Sequence, residues 1–155
     1  MKRTVWAALA LTVGAIGLAG CGEQPSEAEA KPVGPAGISA ANGRIMLSAV
    51  SGNPAAAYFD VTNSGNHDWM IRAASVQGAQ GATMHVTQDG AMQETLQVMV
   101  KAGETVKFAP GGTHVMAMNL ADTLKPGSKT NVTVTFVGGD KVTFPADVRA
   151  AGDER

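Results

Sequence analysis

Short apolar stretches, separated by turn-forming residues, run through most of the chain. The alternation is clearest over residues 131–137, where Val132, Val134 and Phe136 alternate with polar residues. A period of two is typical of a strand with one buried face, so these three side chains are predicted to point inward. Turn signals recur about every 8–12 residues, and no long helical period occurs. The pattern predicts an all-β, immunoglobulin-like Greek-key β-sandwich of about eight or nine short strands.

The predicted strands lie between segments rich in Gly, Pro, Asn and Ser, which favour turns. Residues 78–81 are predicted to form one such turn, and Asp89-Gly90 to form the two-residue turn of a hairpin. Trp69 is predicted to lie in the core or at its rim. The predicted strands, in chain order, are 44–50, 55–62, 69–76, 83–88, 91–100, 105–109, a strand that begins near residue 113, 131–137 and 141–144.

The first 20 residues have the features of a bacterial lipoprotein signal peptide. Lys2 and Arg3 form a short basic segment, and the apolar run over residues 5–18 is too short for a stable transmembrane span. The run leads into Leu18-Ala19-Gly20-Cys21, which resembles a lipobox. We therefore expect cleavage before Cys21 and lipidation of that cysteine. An ordinary cleaved signal followed by an incidental cysteine is the alternative.

Residues 22–37 are rich in Glu, Ala, Pro and Gly and lack an apolar period, which indicates a flexible tether. With the signal peptide and the lipidated Cys21, this tether predicts a periplasmic lipoprotein that is anchored to the membrane by its lipid. The protein is also expected to be a monomer. The predicted organisation is a signal peptide over residues 1–20, a lipidated Cys21 with a linker to residue 37, a β-sandwich domain over residues 38–149 and a tail over residues 150–155.

Charge and cysteine content exclude several classes of protein. The formal net charge is −1, so the chain has no basic surface for nucleic acid. Cys21 is the only cysteine, and once it is lipidated no thiol remains for a disulfide or a Cys-x-x-Cys redox site. A blue-copper centre is disfavoured because it needs a thiolate ligand. No paired carboxylates, nucleophile motif or nucleotide-binding loop is present, so no enzyme activity is predicted.

One strand carries donor atoms that suit a soft metal. His114, Met116 and Met118 fall on alternate positions and therefore share one face. Thioethers select Cu(I) among the first-row metals, and imidazole is compatible with it. The alternative is a structural histidine beside core methionines. Three further methionines lie within apolar stretches and are interpreted as core residues: Met46, Met70 and Met99.

A second His–Met pair flanks the predicted hairpin turn. With a two-residue turn at Asp89-Gly90, Thr87 pairs with Met92 and His85 pairs with Glu94, so all four side chains share a face. His85 and Met92 are then diagonal neighbours with Cβ atoms roughly 7–8 Å apart. This distance allows both to bind one metal ion. A slip of one residue would reverse the assignment.

These residues resemble the motif of the PCu(A)C periplasmic copper chaperones, in which a His, a Met, a His and a Met are separated by ten, twenty-one and one residues. Met92 is followed by twenty-one residues, His114, one residue and Met116. The segments at 56–65 and 110–116 also resemble the family, and the likeness covers roughly residues 44–137. His85 departs from the motif, since six residues separate it from Met92, and the hairpin is correspondingly shorter.

The resemblance implies a cupredoxin-like β-sandwich with an exposed copper site. The implied Cu(I) ligands are His85, Met92, His114 and Met116. Three further residues are considered as accessory donors: Met84, which points to the opposite face in the hairpin register, Glu94, opposite His85, and Met118. His67 lies in a polar turn and is predicted to be exposed. Imidazoles bind metal when neutral, so copper binding should weaken below about pH 6.5.

The resemblance also implies a chaperone that passes Cu(I) to the copper centres of cytochrome c oxidase, alongside a Sco-type thiol protein. Two alternatives stay open from the sequence. The first is a lipoprotein that sequesters copper or confers copper resistance through the same site. The second is a metal-free β-sandwich lipoprotein that adheres to or interacts with another molecule.

Overall fold

The computed structural model describes residues 34–153, and this part of the chain is built from β-strands without a helix. No helix within those residues is therefore long and apolar enough to cross a membrane. The predicted signal peptide, Cys21 and most of the linker lie outside the described residues. The strands are β1 (Ile38–Met46), β2 (Ala55–Asn63), β3 (Trp69–Val76), β4 (Ala79–Gln88), β5 (Ala91–Glu94), β6 (Val98–Val100), β7 (Thr105–Phe108), β8 (Thr113–Leu120), β9 (Lys129–Phe136) and β10 (Lys141–Arg149).

The ten strands form a continuous hydrogen-bonded order, β5-β4-β8-β7-β2-β1-β10-β9-β3-β6. β7 and β8 pair with successive parts of β2, so β8 also contacts β2 directly. Most pairs are antiparallel, and β1 with β10 is parallel. β3 also packs against β4 and β8 without backbone pairing, so the sheet curls until these strands face one another. The all-β prediction is confirmed, with ten strands instead of eight or nine.

Alternating burial explains why these segments form strands around one core. In β9, Val132, Val134 and Phe136 are fully buried, as their spacing predicts. In β2, the Phe59 ring stacks on Phe108 with centroids 4.3 Å apart. The Phe144 ring meets Phe59 in an edge-to-face arrangement, with centroids 5.2 Å apart. Burying an aromatic side chain of this size contributes about 1.5–3 kcal/mol to folding. The fold is therefore held together by aromatic and β-branched residues from distant strands.

Four predicted boundaries are wrong, and long-range pairing explains each difference. β1 begins at Ile38 and ends at Met46, because β2 and β10 pair with this stretch and leave Val50 exposed. β4 begins at Ala79, because that residue already pairs with Leu120 of β8. Residues 91–100 divide into β5 and β6, which pair with β4 and β3 respectively. β10 continues through Pro145 to Arg149, where β1 supplies a second partner strand.

All three methionines interpreted as core residues lie on outward positions of their strands. Met70 and Met99 are cross-strand partners in β3 and β6, and the Met99 side chain is 45% exposed. Their sequence neighbours Ile71 and Val100 occupy the core instead. Met46 is half-buried and pairs with Ala56. The interpretation is therefore wrong for all three, because apolar residues on both sides of each methionine obscured the alternation.

Candidate metal centre

The hairpin of β4 and β5 has the register that the sequence predicts. Thr87 pairs with Met92, and His85 pairs with Glu94. Asp89 and Gly90 both have positive φ, at 52° and 77°, as a two-residue hairpin turn of type I′ requires. The turn therefore places Met92 and His85 on one face, and the prediction for the hairpin is confirmed.

β8 lies beside β4 and completes the face. His85 is directly opposite His114, and Thr83 is directly opposite Met116. Residues paired in this way project to the same side of a sheet. Met84 and its partner Val115 project to the other side and are buried in the core. An accessory donor role for Met84 is therefore wrong, because strand alternation turns its sulfur away from the face.

The His114 imidazole is held in one tautomer. Its Nδ1 lies 3.0 Å from the carbonyl oxygen of Gly112, which can only accept a hydrogen bond. The proton is thus assigned to Nδ1, and Nε2 carries a lone pair. Nε2 lies 3.1 Å from the Sδ atom of Met92. Two electron-pair donors, one on β8 and one on β5, therefore point to the same place. The Gly112 carbonyl also accepts from the backbone N–H of Thr87, at 3.2 Å.

The His85 imidazole faces His114 across the two strands. The ring centroids are 5.9 Å apart and the planes differ by 22°. Its Nε2 lies 2.9 Å from the Thr83 hydroxyl. Its Nδ1 is buried and has no hydrogen-bond partner. A buried polar atom without a partner is rare in proteins and requires an explanation, such as a metal ion that binds this nitrogen in the functional protein.

Exposure differs sharply between the donors. His114 is only 8% exposed, whereas Met92 on the edge strand is 55% exposed. Met116 is half-buried between Thr83 of β4 and Ala56 of β2. The imidazoles thus lie inside the site, and a flexible thioether covers it from the solvent side. Such a site is accessible to another molecule without any opening of the sheet.

A tyrosine and an arginine lie beside His114 on the same side of the sheet. The Tyr58 ring lies 6.5 Å from the His114 ring, tilted by 53°. The Arg44 guanidinium sits 5.1 Å above the Tyr58 ring, which is a cation–π arrangement. Sequence reasoning missed Thr83, Tyr58 and Gly112 as residues of the site. Thr83 could have been found from its position two residues before His85, on the same face of β4.

The other candidates lie at the margin of the site or away from it. Glu94 is exposed and opposite His85. Met118 pairs with Gly81, and a Cβ atom on that glycine would lie 3.4 Å from the Met118 methyl carbon. His67 is exposed, as predicted, and its ring contacts Trp69 at a centroid distance of 5.0 Å. Trp69 is half-buried and packs against Phe136 at the rim of the core.

The donor set is unsuited to a hard metal ion. Within residues 34–153, no three His, Cys, Asp or Glu side chains group closely enough to hold one. The two facing histidines are complemented instead by Met92 and Met116, whose thioethers are neutral and polarisable. Neutral soft donors favour a monovalent soft cation over ions such as Mg²⁺ or Ca²⁺.

Comparison with solved structures defines the class of fold as that of the PCuAC domains. The copper-bound PCuAC domain from PmoF2 matches with a TM-score of 0.64 and 18% identity, over 77% of this chain and 97% of that domain. The apo PCuAC domain from PmoF1 matches with a TM-score of 0.66 and 20% identity, over 77% and 98%. CuI-DR1885 from Deinococcus radiodurans matches with a TM-score of 0.60 and 23% identity, over 74% and 79%.

The chain belongs to the LpqE-like lipoprotein family. The family model described as "Putative lipoprotein LpqE-like" matches residues 38–148, which includes every strand from β1 to β9 and nearly all of β10. A curated relative, "Putative lipoprotein Lxx21020" of Leifsonia xyli subsp. xyli, is 33% identical over 147 residues, which cover 90% of this chain and 87% of that protein.

Proposed function

We propose that this protein is an extracytoplasmic Cu(I) chaperone that binds one copper ion through His85, Met92, His114 and Met116. The observation that carries the proposal is the approach of His114 Nε2 to Met92 Sδ, at 3.1 Å, while Nδ1 is bonded to the Gly112 carbonyl. With the proton on Nδ1, this contact brings together two lone pairs, and a cation between them would turn the contact into coordination. The unpartnered Nδ1 of His85 supports the same site.

The fold adds support, because two solved structures that share it are a copper-bound PCuAC domain and a CuI-bound protein. The donor types agree with that cargo. Thioethers bind Cu(I) without losing a proton, so copper can enter and leave with little proton exchange at Met92 and Met116. No covalent step is required, and the protein acts as a carrier, not as an enzyme.

The exposed thioether suggests how copper would leave. Met92 lies on the four-residue edge strand β5, where an incoming thiolate can replace it before the buried His114 is displaced. A thiolate binds Cu(I) more strongly than a thioether, so transfer to a cysteine-based acceptor is downhill. We propose a Sco-type thiol protein or the copper subunit of cytochrome c oxidase as acceptor. Lipidation of Cys21 would hold the donor at the membrane, consistent with the description of the family as lipoproteins.

The proposal is tested by titrating Cu(I) against a chromogenic chelator under reducing conditions. The protein used is the chain from residue 21 onward with Cys21→Ser, so that no thiol competes for the metal. We expect one equivalent of Cu(I), and X-ray absorption that requires both sulfur and nitrogen neighbours. A chain that binds no Cu(I), or a site without sulfur scattering, would contradict the proposal. Loss of oxidase activity in a deletion strain, with copper tolerance unchanged, distinguishes delivery from sequestration.

A further inference from the structure

We infer that Thr83 is a positioning residue of the proposed copper site. Its hydroxyl directs His85 to bind copper through Nδ1, whereas the Gly112 carbonyl directs His114 to bind through Nε2. This inference rests on the proposed Cu(I) function and adds to it the choice of donor atom on each ring. It follows from the different hydrogen-bond partners of two imidazoles that face each other on β4 and β8.

The partner of His114 leaves no choice of tautomer. The Gly112 carbonyl oxygen can accept a hydrogen bond and cannot donate one, so the ring proton is on Nδ1. Nε2 is therefore the only ring nitrogen of His114 with a free lone pair, and this nitrogen lies against the Met92 sulfur. The backbone supplies this constraint, so it does not depend on any side chain of the site.

The partner of His85 is a hydroxyl, which can donate or accept. If the Thr83 hydroxyl donates to Nε2, the proton of the ring is on Nδ1, which is buried without an acceptor. A metal cannot relieve that defect, because the nitrogen has no lone pair to offer. If Nε2 donates to the Thr83 oxygen, Nδ1 carries a buried lone pair without a partner, and a bound Cu(I) satisfies it. Only the second arrangement is completed by copper.

The position of Thr83 makes it a stable partner. It lies two residues before His85 on β4, and therefore on the same face, directly opposite Met116. It is half-buried, and threonine is β-branched with few accessible χ1 rotamers on a strand. Its hydroxyl is consequently held in place before the metal arrives. The same fixed bond keeps Nε2 of His85 from becoming the ligand atom.

The test reads the two rings directly by NMR of the ¹⁵N-labelled chain from residue 21 onward with Cys21→Ser. Long-range ¹H–¹⁵N correlations report the tautomer of each histidine without metal. Ag(I), a spin-½ surrogate for Cu(I), then identifies the bound nitrogen by its one-bond ¹⁰⁹Ag–¹⁵N coupling. We expect the Nε2–H tautomer and a coupling at Nδ1 for His85, and the reverse for His114. Silver coupled to Nε2 of His85 would overturn the inference.

Variants separate the hydroxyl from the shape of the side chain. Thr83→Val removes the hydroxyl at nearly constant volume, and Thr83→Ser keeps it. Thr143→Val is the matched control, because it removes a similar hydroxyl contact, 2.9 Å to Thr133, on strands that do not form the site. We expect Thr83→Val to move the His85 proton or the silver coupling between nitrogens and to weaken Cu(I) binding by about tenfold or more, the usual effect of losing an outer-shell partner.

Thr83→Ser should retain the wild-type coupling pattern, and Thr143→Val should change neither readout. A ¹H–¹⁵N amide spectrum confirms that each variant is folded. If Thr83→Val leaves both the tautomer of His85 and the Cu(I) affinity unchanged, the inference is wrong while the proposed function stands. If the wild-type chain binds neither Cu(I) nor Ag(I), the proposed function is wrong, and this inference is wrong with it.

Discussion

His114 and Met92 lie 22 positions apart in the chain, yet the Nε2 atom of the first is 3.1 Å from the Sδ atom of the second. They do not belong to paired strands, since β4 lies between β5 and β8. The contact therefore depends on two separate registers, one set by the Asp89-Gly90 turn and one set by the pairing of β4 with β8. Both registers place these side chains on one face without a metal, so Cu(I) binding at the proposed site would not have to order the chain.

Met92→Leu should weaken Cu(I) binding and leave the fold intact. The side chain is 55% exposed, so its replacement by an isosteric apolar residue costs little stability. Loss of one thioether should lower the affinity by more than about tenfold, since even outer-shell changes have effects of ~10–100-fold. Chelator competition measures the affinity, and X-ray absorption should count one sulfur fewer. Met99→Leu is the control, because Met99 is similarly exposed, at 45%, on a different strand. Equal affinities of the two variants would exclude Met92 as a ligand.

His114→Ala should remove high-affinity Cu(I) binding and also cost some stability. The variant loses the hydrogen bond to the Gly112 carbonyl, which contributes about 0.5–1.5 kcal/mol. Urea unfolding measures this loss, and Cu(I) titration measures the binding. His67→Ala is the control, because that ring is exposed and contacts Trp69 instead of the site. Full copper binding by folded His114→Ala would contradict the proposed ligand set.

Gly43→Ala should destabilise the fold without a direct effect on the metal centre. Gly43 pairs with Ala146 where the parallel pairing of β1 and β10 begins. A Cβ atom there would overlap the Pro145 carbonyl oxygen and lie 3.0 Å from the Ala146 Cα. Forcing a methyl group into this space should cost about 1–3 kcal/mol in urea unfolding.

The same substitution at Gly112 provides the control for Gly43→Ala. A Cβ atom on Gly112 would lie 3.7 Å from its nearest neighbour, the backbone oxygen of Ala109, which is an ordinary contact. Its φ is not in the left-handed region, so alanine should be accommodated. Gly112→Ala should therefore unfold close to the wild-type midpoint. Equal stability of the two variants would show that β1 moves away from β10 at low cost.

Phe59→Ala should have a larger effect on stability than either glycine variant. The ring is fully buried and packs against both Phe108 and Phe144, so its removal should leave a cavity in the core. Such truncations cost about 3–5 kcal/mol, a large part of the stability of a small domain. Val137→Ala, at a position that is 52% exposed, should change stability by less than about 0.5 kcal/mol. A small loss for Phe59→Ala would mean that the three rings do not form the centre of the core.

Local sequence signals predicted the parts of the molecule that local chemistry determines. Asp89-Gly90 defined the hairpin register, and the alternation around Val134 defined the buried face of β9. The division of residues 91–100 into β5 and β6 could not be predicted, because it arises from pairing with two distant strands. The site followed the same rule. The spacing within each His–Met pair predicted which side chains share a face, whereas the position of His85 opposite His114 depends on the long-range pairing of β4 with β8.

The edge strand β5 consists of only four residues, and all four are exposed. Its outer side presents unpaired backbone groups, which in a longer strand would recruit strands from other molecules. Four residues offer too short a template for that recruitment, and Glu94 adds a charge at its end. Because β5 is so short, the protein can expose the Met92 thioether at the edge of its sheet without offering a strand on which other molecules would aggregate.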